Sequence, residues 1–278
     1  MSFTYYIVIR STNYPVKKLN ALFIWVIALS AIMPLSCKKP ATLPEAVAED
    51  TLPETDPSLN VLTEEEKTGG WELLFDGSTL NGWKRYNHDS IGPLWTVSEG
   101  AIKCDGTGLT EGTANIGGSL ITIKPYDNFE LSVEWKVSPG GNSGILYHIV
   151  EKPEYKHDHD TGPEFQVMDD AGWKGEPLKE AQKAGSNYDM HAAPATKKLM
   201  PVGEWNSARL IYNKGHVEHW LNGEKVVEFE DGSPDFMERY KKSKWTEYPG
   251  WNKVKSGSIG LQDHGAPVYF RNIKIKTL

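Results

Sequence analysis

Two short stretches of this 278-residue chain hold residues able to move protons. One is HDHDTGPEFQVMDD (157–170), which crowds two histidines and five acidic residues around a Gly-Pro turn; the other is GLQDHG (260–265). A carboxylate and an imidazole on one surface can exchange protons with a bound substrate near neutral pH, because imidazole is the side chain that titrates there. Side chains alternate along a strand, so in EFQVMD Phe165 and Val167 face one way and Glu164, Gln166 and Met168 the other. By the same parity Gly260, Gln262 and His264 oppose Leu261 and Asp263, leaving Asp263 placed to orient a neighbour. Glu164 and His264 are therefore candidate catalytic groups, and Asp169 joins them at the strand end, where Asp170 reads as a turn former. Gln166, Gln262, Asn142, Tyr147 and His148 are candidate substrate contacts, the last three lying in or just after a Gly-Asn-Ser-Gly run that suggests close backbone approach.

Other clusters carry less. His157, Asp158, His159 and Asp160 offer donors for a divalent cation, but four consecutive polar residues before Thr-Gly-Pro read as a hydrated loop, and no second cluster of fixed spacing completes a cage. The identity of any metal ligands stays open. His219 and Trp220 precede a tight turn on a strand, where a structural role fits, and His191 has little to support it as a substrate contact.

The elements that must position these residues are short strands. WELLFDG, LWTVSEGAIKC, GGSLITI, NFELSVEWKVS, SGILYHIV, EFQVMD, SIGLQDH and VYFRNIKIKTL are apolar or alternating runs bounded by turn residues. LIYNKGHVEHWLNGEKVVEFE reads as a three-stranded meander with turns at NKG and NG. Only 174–184 and PDFMERYKK (234–242) suggest short helical turns. Many strands without βαβ alternation predict an all-β sandwich of two antiparallel sheets in a single domain over residues 70–278. In NFELSVEWKVS, Phe129, Leu131, Val133, Trp135 and Val137 form the core face, and Glu130, Ser132, Glu134 and Lys136 the polar one. Acid, amide and imidazole groups gathered on neighbouring strand faces would make a polar groove suited to an extended sugar.

The net charge of −7 argues against nucleic acid, which demands a basic surface. Aromatics are high, with ten Trp and 12 Tyr; much of that must be core, while an excess of Trp is also common where a protein stacks flat rings on sugar faces. Lys17 and Lys18 precede an apolar run, ALFIWVIALSAIMPLSC (21–37), and this order looks like a bacterial lipoprotein signal with Cys37 as the lipid attachment site; an uncleaved membrane anchor is the alternative. Residues 38–69 are rich in Pro, Glu and Thr and read as a flexible tether. A lipidated Cys37 would leave Cys104 without a disulfide partner. The expected location is the cell envelope, lipid-anchored to the outer membrane. Lys38 and Lys39 favour its periplasmic side over the cell surface.

LFDGSTLNGW (74–83), WTVSEGAI (95–102), NFELSVEWKV (128–137), GNSGILYH (141–148), GPEFQVMDD (162–170), NYDMHAAP (187–194), PVGEWNSARLIYNKGHVEHWLNG (201–223) and GSIGLQDHGAPVYFRNIKI (257–275) occur in one order. Together they resemble the DUF1080 family, also described as the 3-keto-disaccharide hydrolase family, over about residues 70–278. The resemblance implies a concanavalin A-like jelly roll and cleavage of glycosides already oxidised to a ketone at C3. That ketone acidifies the C2 proton, so a base can remove it, the C1 substituent can leave, and water can add back. Such a site needs a base, a proton donor to the leaving oxygen, and an electrophile or divalent cation at the ketone. The family often carries Arg where His148 stands. A non-catalytic carbohydrate-binding module on the cell envelope is the competing function, since fold alone does not assign chemistry.

Overall fold

The computed structural model describes residue 56, residues 58–106 and residues 117–278. The expected signal segment, Cys37 and the tether up to residue 55 lie outside the described residues. In chain order the elements are α1 (Glu64–Thr68), β1 (Trp71–Leu73), β2 (Trp83–Arg85), β3 (Trp95–Ser98), β4 (Ala101–Cys104), β5 (Leu120–Thr122), β6 (Phe129–Val137) and β7 (Asn142–Ile149). They continue with β8 (Glu164–Met168), β9 (Asn206–Asn213), β10 (His216–Leu221), β11 (Glu224–Glu230), α2 (Pro234–Lys242), β12 (Ser258–Leu261) and β13 (Val268–Thr277).

The strands form the two antiparallel sheets expected. The larger runs β11-β10-β9-β6-β13-β4-β3, with β1 also paired to β13; the smaller runs β2-β5-β12-β7-β8. Alternation in β6 is complete: Phe129, Leu131, Val133, Trp135 and Val137 are buried, and the four residues between them are half-buried. Each large apolar side chain buried there stabilises the fold by about 1.5–3 kcal/mol relative to exposure. The polar face is held by Glu130 with Arg209 and Glu134 with Arg271. The inward residues of β6 share one core cluster with Ile145 and Tyr147 of β7 and Phe165 and Val167 of β8.

Strand β8 is buried along its whole length, although its sequence alternates. The cause is the segment that follows it. Gln166 N donates to Ser186 O, Gly185 N to Gln166 O and Tyr188 N to Glu164 O, so residues 185–188 pair along the free edge of β8. This covers an edge that would otherwise expose unpaired backbone groups.

The tether boundary requires correction, because residues 58–69 belong to the fold. Asn60 is 5% exposed; its backbone N donates to Asn272 Oδ1 (2.6 Å), its Oδ1 accepts from Asn272 N (2.8 Å) and its Nδ2 donates to Gly100 O (2.7 Å). Thr63 and Glu66 close a capping box on α1, and Lys274 donates to both oxygens of Glu66. These polar pairings do not register as a hydrophobic pattern. Within 174–184 only Glu180–Gln182 forms a single 3-10 turn, whereas 234–242 is helical as expected.

Candidate active site

Antiparallel register brings the two proton-carrying stretches together. Leu146 pairs with Glu164, Gly144 with Gln166 and Asn142 with Met168, so Glu164 and Gln166 share the outer face of the smaller sheet with Asn142 and Gly144. Gly144 is needed there: a Cβ on it would lie 2.1 Å from Glu164 Oε1, so the carboxyl occupies the space a side chain would take. Just past β12, Gln262 N donates to Gly144 O (2.9 Å), and Ser143 Oγ donates to Gln262 O (2.7 Å). That anchorage turns Gln262 and His264 onto the same face. Asp263 is 2% exposed, points away and accepts from Gly118 N (3.1 Å) and Gly265 N (3.0 Å), which holds the loop as its parity suggested.

Five of the sequence-derived residues, Glu164, His264, Gln166, Gln262 and Asn142, thus line one cleft of about 40 Å³. That volume takes a few water-sized groups. Gln166 is 1% exposed and donates through Nε2 to Asn142 Oδ1 and Gln182 O, both at 3.2 Å, while its Oε1 is a buried acceptor without a hydrogen-bond partner among the described residues. A buried unsatisfied carbonyl is costly and suits a ligand hydroxyl. Burial, then the neighbouring Lys244 charge, holds the pKa of His264 below its usual value, and His264 is therefore neutral at pH 7. Its ring meets Trp173 edge-on, with centroids 6.4 Å apart.

Three further residues complete the cleft: His159, Tyr188 and Lys244. The HDHD run is not the hydrated loop that its polarity suggested. Asp158–Asp160 form a 3-10 turn in which Asp158 is 2% exposed and His159 reaches the cleft. Burial alone would raise the pKa of Asp158, but its hydrogen bonds and charge interaction with His159 outweigh this and hold it below the usual carboxylate range. The His159 Nδ1 lies 3.5 Å from Asp158 Oδ1, and its ring stacks on His157 at 5.1 Å with planes 6° apart. A carboxylate behind a histidine is the arrangement that orients an imidazole for proton transfer. Turn geometry hid this pair in the sequence; the available signal was the Gly-Pro launch into β8 immediately after it. Lys244 follows α2 in KWTEY, and its only flag was its aromatic neighbours.

Three predicted site residues lie elsewhere. Asp169 accepts from Gly140 N (2.8 Å) through Oδ2 and from Gly172 N (2.9 Å) through Oδ1, which makes it a loop clamp outside the cleft. Tyr147 faces into the sandwich, 1% exposed, with its ring edge-on to Phe129 at 6.1 Å. His148 is fully buried at a left-handed φ of 57°, with Nε2 2.9 Å from Asp127 O and its ring perpendicular to Tyr212 at 4.4 Å. Burial lowers its pKa to about 4. Tyr147 keeps the inward parity of Ile145, whereas the left-handed residue ends the regular alternation of β7, so counting along the strand misplaces His148. His219 is buried against Gly185 O (3.1 Å) in the structural role expected. His191 stacks on Phe229 rather than reaching the cleft.

A larger cavity of about 590 Å³ opens beside Tyr212, Asp231, Tyr240, Trp251 and Lys255. Asp231 there already accepts from Lys255, Tyr212 and Asn252. The titratable groups His159, Glu164, Lys244 and His264 converge instead at the smaller cleft. Among the described residues, the three-donor group compatible with a metal is His216, Glu218 and Glu228, with ligand atoms within 4.8 Å. It lies on the outward face of β10 and β11 and is already laced with Lys225. His159, Glu164 and His264 do not converge this closely, so these three do not form a ready-made cage.

Residues 70–276 match the sequence profile of the 3-keto-alpha-glucoside-1,2-lyase-like domain. A 3-keto-disaccharide hydrolase from Bacteroides thetaiotaomicron is 36% identical over 231 residues, spanning 75% of this chain and 79% of that protein. A crystal structure from Parabacteroides distasonis, provisionally described as a glycosyl hydrolase, superposes with a TM-score of 0.72 at 42% identity, over 79% of this chain and 99% of that one. A second protein of that organism with the same provisional description gives a TM-score of 0.56 at 27% identity, over 75% of this chain and 99% of that one.

Proposed function

The chain belongs to the 3-keto-alpha-glucoside-1,2-lyase-like domain family, and from that membership we propose that it cleaves glycosidic bonds in sugars already oxidised to a ketone at C3. The observation that carries the reading is the convergence of Glu164, His264, Gln166, Gln262 and Asn142 on one cleft from three separate strands or strand ends. The make-up of the cleft favours elimination over ordinary glycoside hydrolysis. Ordinary hydrolysis uses two carboxyl groups flanking the scissile bond, whereas Glu164 is the single carboxyl lining the cleft among the described residues.

In the proposed reaction neutral His264 takes the C2 proton, and the C–H electron pair becomes a C2=C3 bond as the ketone oxygen gains charge. Collapse of that enolate restores the ketone, forms C1=C2 and breaks the bond from C1 to its substituent. Glu164 hands a proton to the departing oxygen. Water then adds its oxygen to C1 and yields a proton to Glu164, while protonated His264 returns its proton to C2. Both side chains end as they began. Gln166 Oε1 and the amides of Asn142 and Gln262 would hold the sugar hydroxyls. A divalent cation at the ketone oxygen belongs to the same proposal as an optional aid, and the lipoprotein-like N-terminal sequence supports work at the cell envelope.

Incubating the purified protein with a 3-keto-glucoside, with and without divalent cations, should release the aglycone. Absence of release under both conditions would sink the reading. Tight binding of unoxidised oligosaccharides without turnover would make the protein a carbohydrate-binding module instead.

A further inference from the structure

The short lobe between β11 and β12 sets one cation at the cleft, paired with no carboxylate among the described residues. Ser243 ends α2 and caps the next turn, its Oγ accepting from Trp245 N (3.2 Å). The backbone N of Lys244 donates to Asp189 Oδ2 (2.8 Å). Trp245 is fully buried, stacks on Trp251 at 4.9 Å with planes 8° apart, and donates its indole N–H to Tyr188 O (2.9 Å). The backbone that carries Lys244 is thus fixed from both sides. Its Nζ lies over the rings of Trp245 (4.4 Å), Tyr188 (4.6 Å) and Tyr248 (6.0 Å). Many other lysines here pair with acids, including Lys67, Lys84, Lys124 and Lys274. Lys244 meets rings, and among the described residues no carboxylate pairs with it.

We infer that Lys244 is the cation that meets the enolate oxygen at C3, so that the cleft carries an electrophile of its own; this rests on the 3-keto-glycoside reading above. Aromatic faces attract the ammonium and not the free amine. The cage therefore maintains a charge while offering no anion to neutralise it, which leaves that charge available to negative charge developing in the transition state. The departing oxygen needs a proton, which Glu164 can supply; the ketone oxygen needs only charge. The same cage disfavours the alternative use of a lysine near a ketone, attack by the free amine to form a Schiff base. Lys244 already acts on the resting site, since its charge contributes to lowering the pKa of His264, alongside burial and His159 and against Asp263.

The test compares the full chain with Lys244→Met and Lys244→Arg on a 3-keto-glucoside. The Met variant should lose about 10²- to 10³-fold in kcat, as loss of an oxyanion-stabilising group typically does, with KM moving far less, and Arg should recover part of the loss. The acidic limb of the kcat/KM profile should move to higher pH in Lys244→Met, because His264 loses a neighbouring positive charge. That shift reports the nearness of the charge to His264, while the loss in kcat with little change in KM is the readout that a merely structural lysine would not give. Borohydride added during turnover should trap no sugar on the wild-type protein. A raised KM with unchanged kcat would overturn the inference, as would a borohydride-reduced adduct at Lys244 found by mass spectrometry. Normal release by both wild type and Lys244→Met would strike the lysine alone, whereas no release by wild type would strike the reaction and the lysine's role with it.

Discussion

Glu164 owes its place to an atom that is missing. Strand β7 carries glycine opposite Gln166, and the Glu164 carboxyl fills the gap. Gly144→Ala should therefore displace the carboxyl, at a cost in the overpacking range of about 1–3 kcal/mol. Glu164→Gln keeps the shape and should lose about 10²- to 10⁴-fold in kcat, the usual weight of a proton-transfer group, with an unchanged melting temperature. Asp169→Ala should do the reverse: loss of its two backbone N–H partners destabilises by about 1–3 kcal/mol while kcat stays near normal. Steady-state kinetics with thermal melts on the three variants check this, and an inactive but stable Asp169→Ala would return that residue to the site. Parity over two residues was enough to pair Glu164 with Gln166 in the sequence. Nothing in DHD announced that Asp158 turns inward behind His159, because a 3-10 turn has no hydrophobic period to betray it.

At the scale of elements, β6 was legible because one face packs on the core and the other meets solvent, which is the condition for clean alternation. Strand β8 and the end of β7 were less so. The first is covered on both faces, and the second is broken by left-handed His148. Three neutral histidines hold these covered regions together: His148 beside Tyr212, His191 on Phe229 and His219 against Gly185. Burial lowers their pKa values to about 4, 4 and 3. The unfolded chain takes up these protons near pH 6.5 and the folded chain does not, so stability falls as pH drops from about 6.5 toward 4. At pH 5 each group contributes about 2 kcal/mol of that loss, roughly 6 kcal/mol together, a large share of a typical domain's stability. Asp158, whose pKa is held low, adds its own loss only below the ordinary carboxylate range, outside this window. Urea unfolding at pH 7.5 and pH 5 should show a clear fall in midpoint with an unchanged slope. A midpoint independent of pH over that interval would mean that these rings are not neutral in the fold.

At the scale of the whole molecule, the sandwich and its N-terminal sequence make separate claims. The fold was legible as many short strands with no helical alternation, while the start of the folded part was not. Asn60 and Glu66 join it through hydrogen bonds to Asn272 and Lys274, more than 200 positions away in sequence, and composition records no such pairing. The N-terminal segment has basic residues, an apolar run and then Cys37, and one atom separates the two ways it could hold a membrane. If the Cys37 sulfur carries lipid, Cys37→Ser should abolish labelling by radioactive palmitate in a bacterial host and leave the unprocessed chain held only by its apolar run. If the run is an uncleaved anchor, the substitution should change neither labelling nor chain mass. Labelled wild type of reduced mass, with an unlabelled, full-mass Ser variant, is the expected result. It would also account for Cys104, which lies fully buried as a free thiol, its pKa pushed up by burial, and is neither reactive nor in need of a partner. An unlabelled wild-type chain would remove the lipid and leave the catalytic proposal untouched, since no residue of the cleft depends on how the chain is tethered.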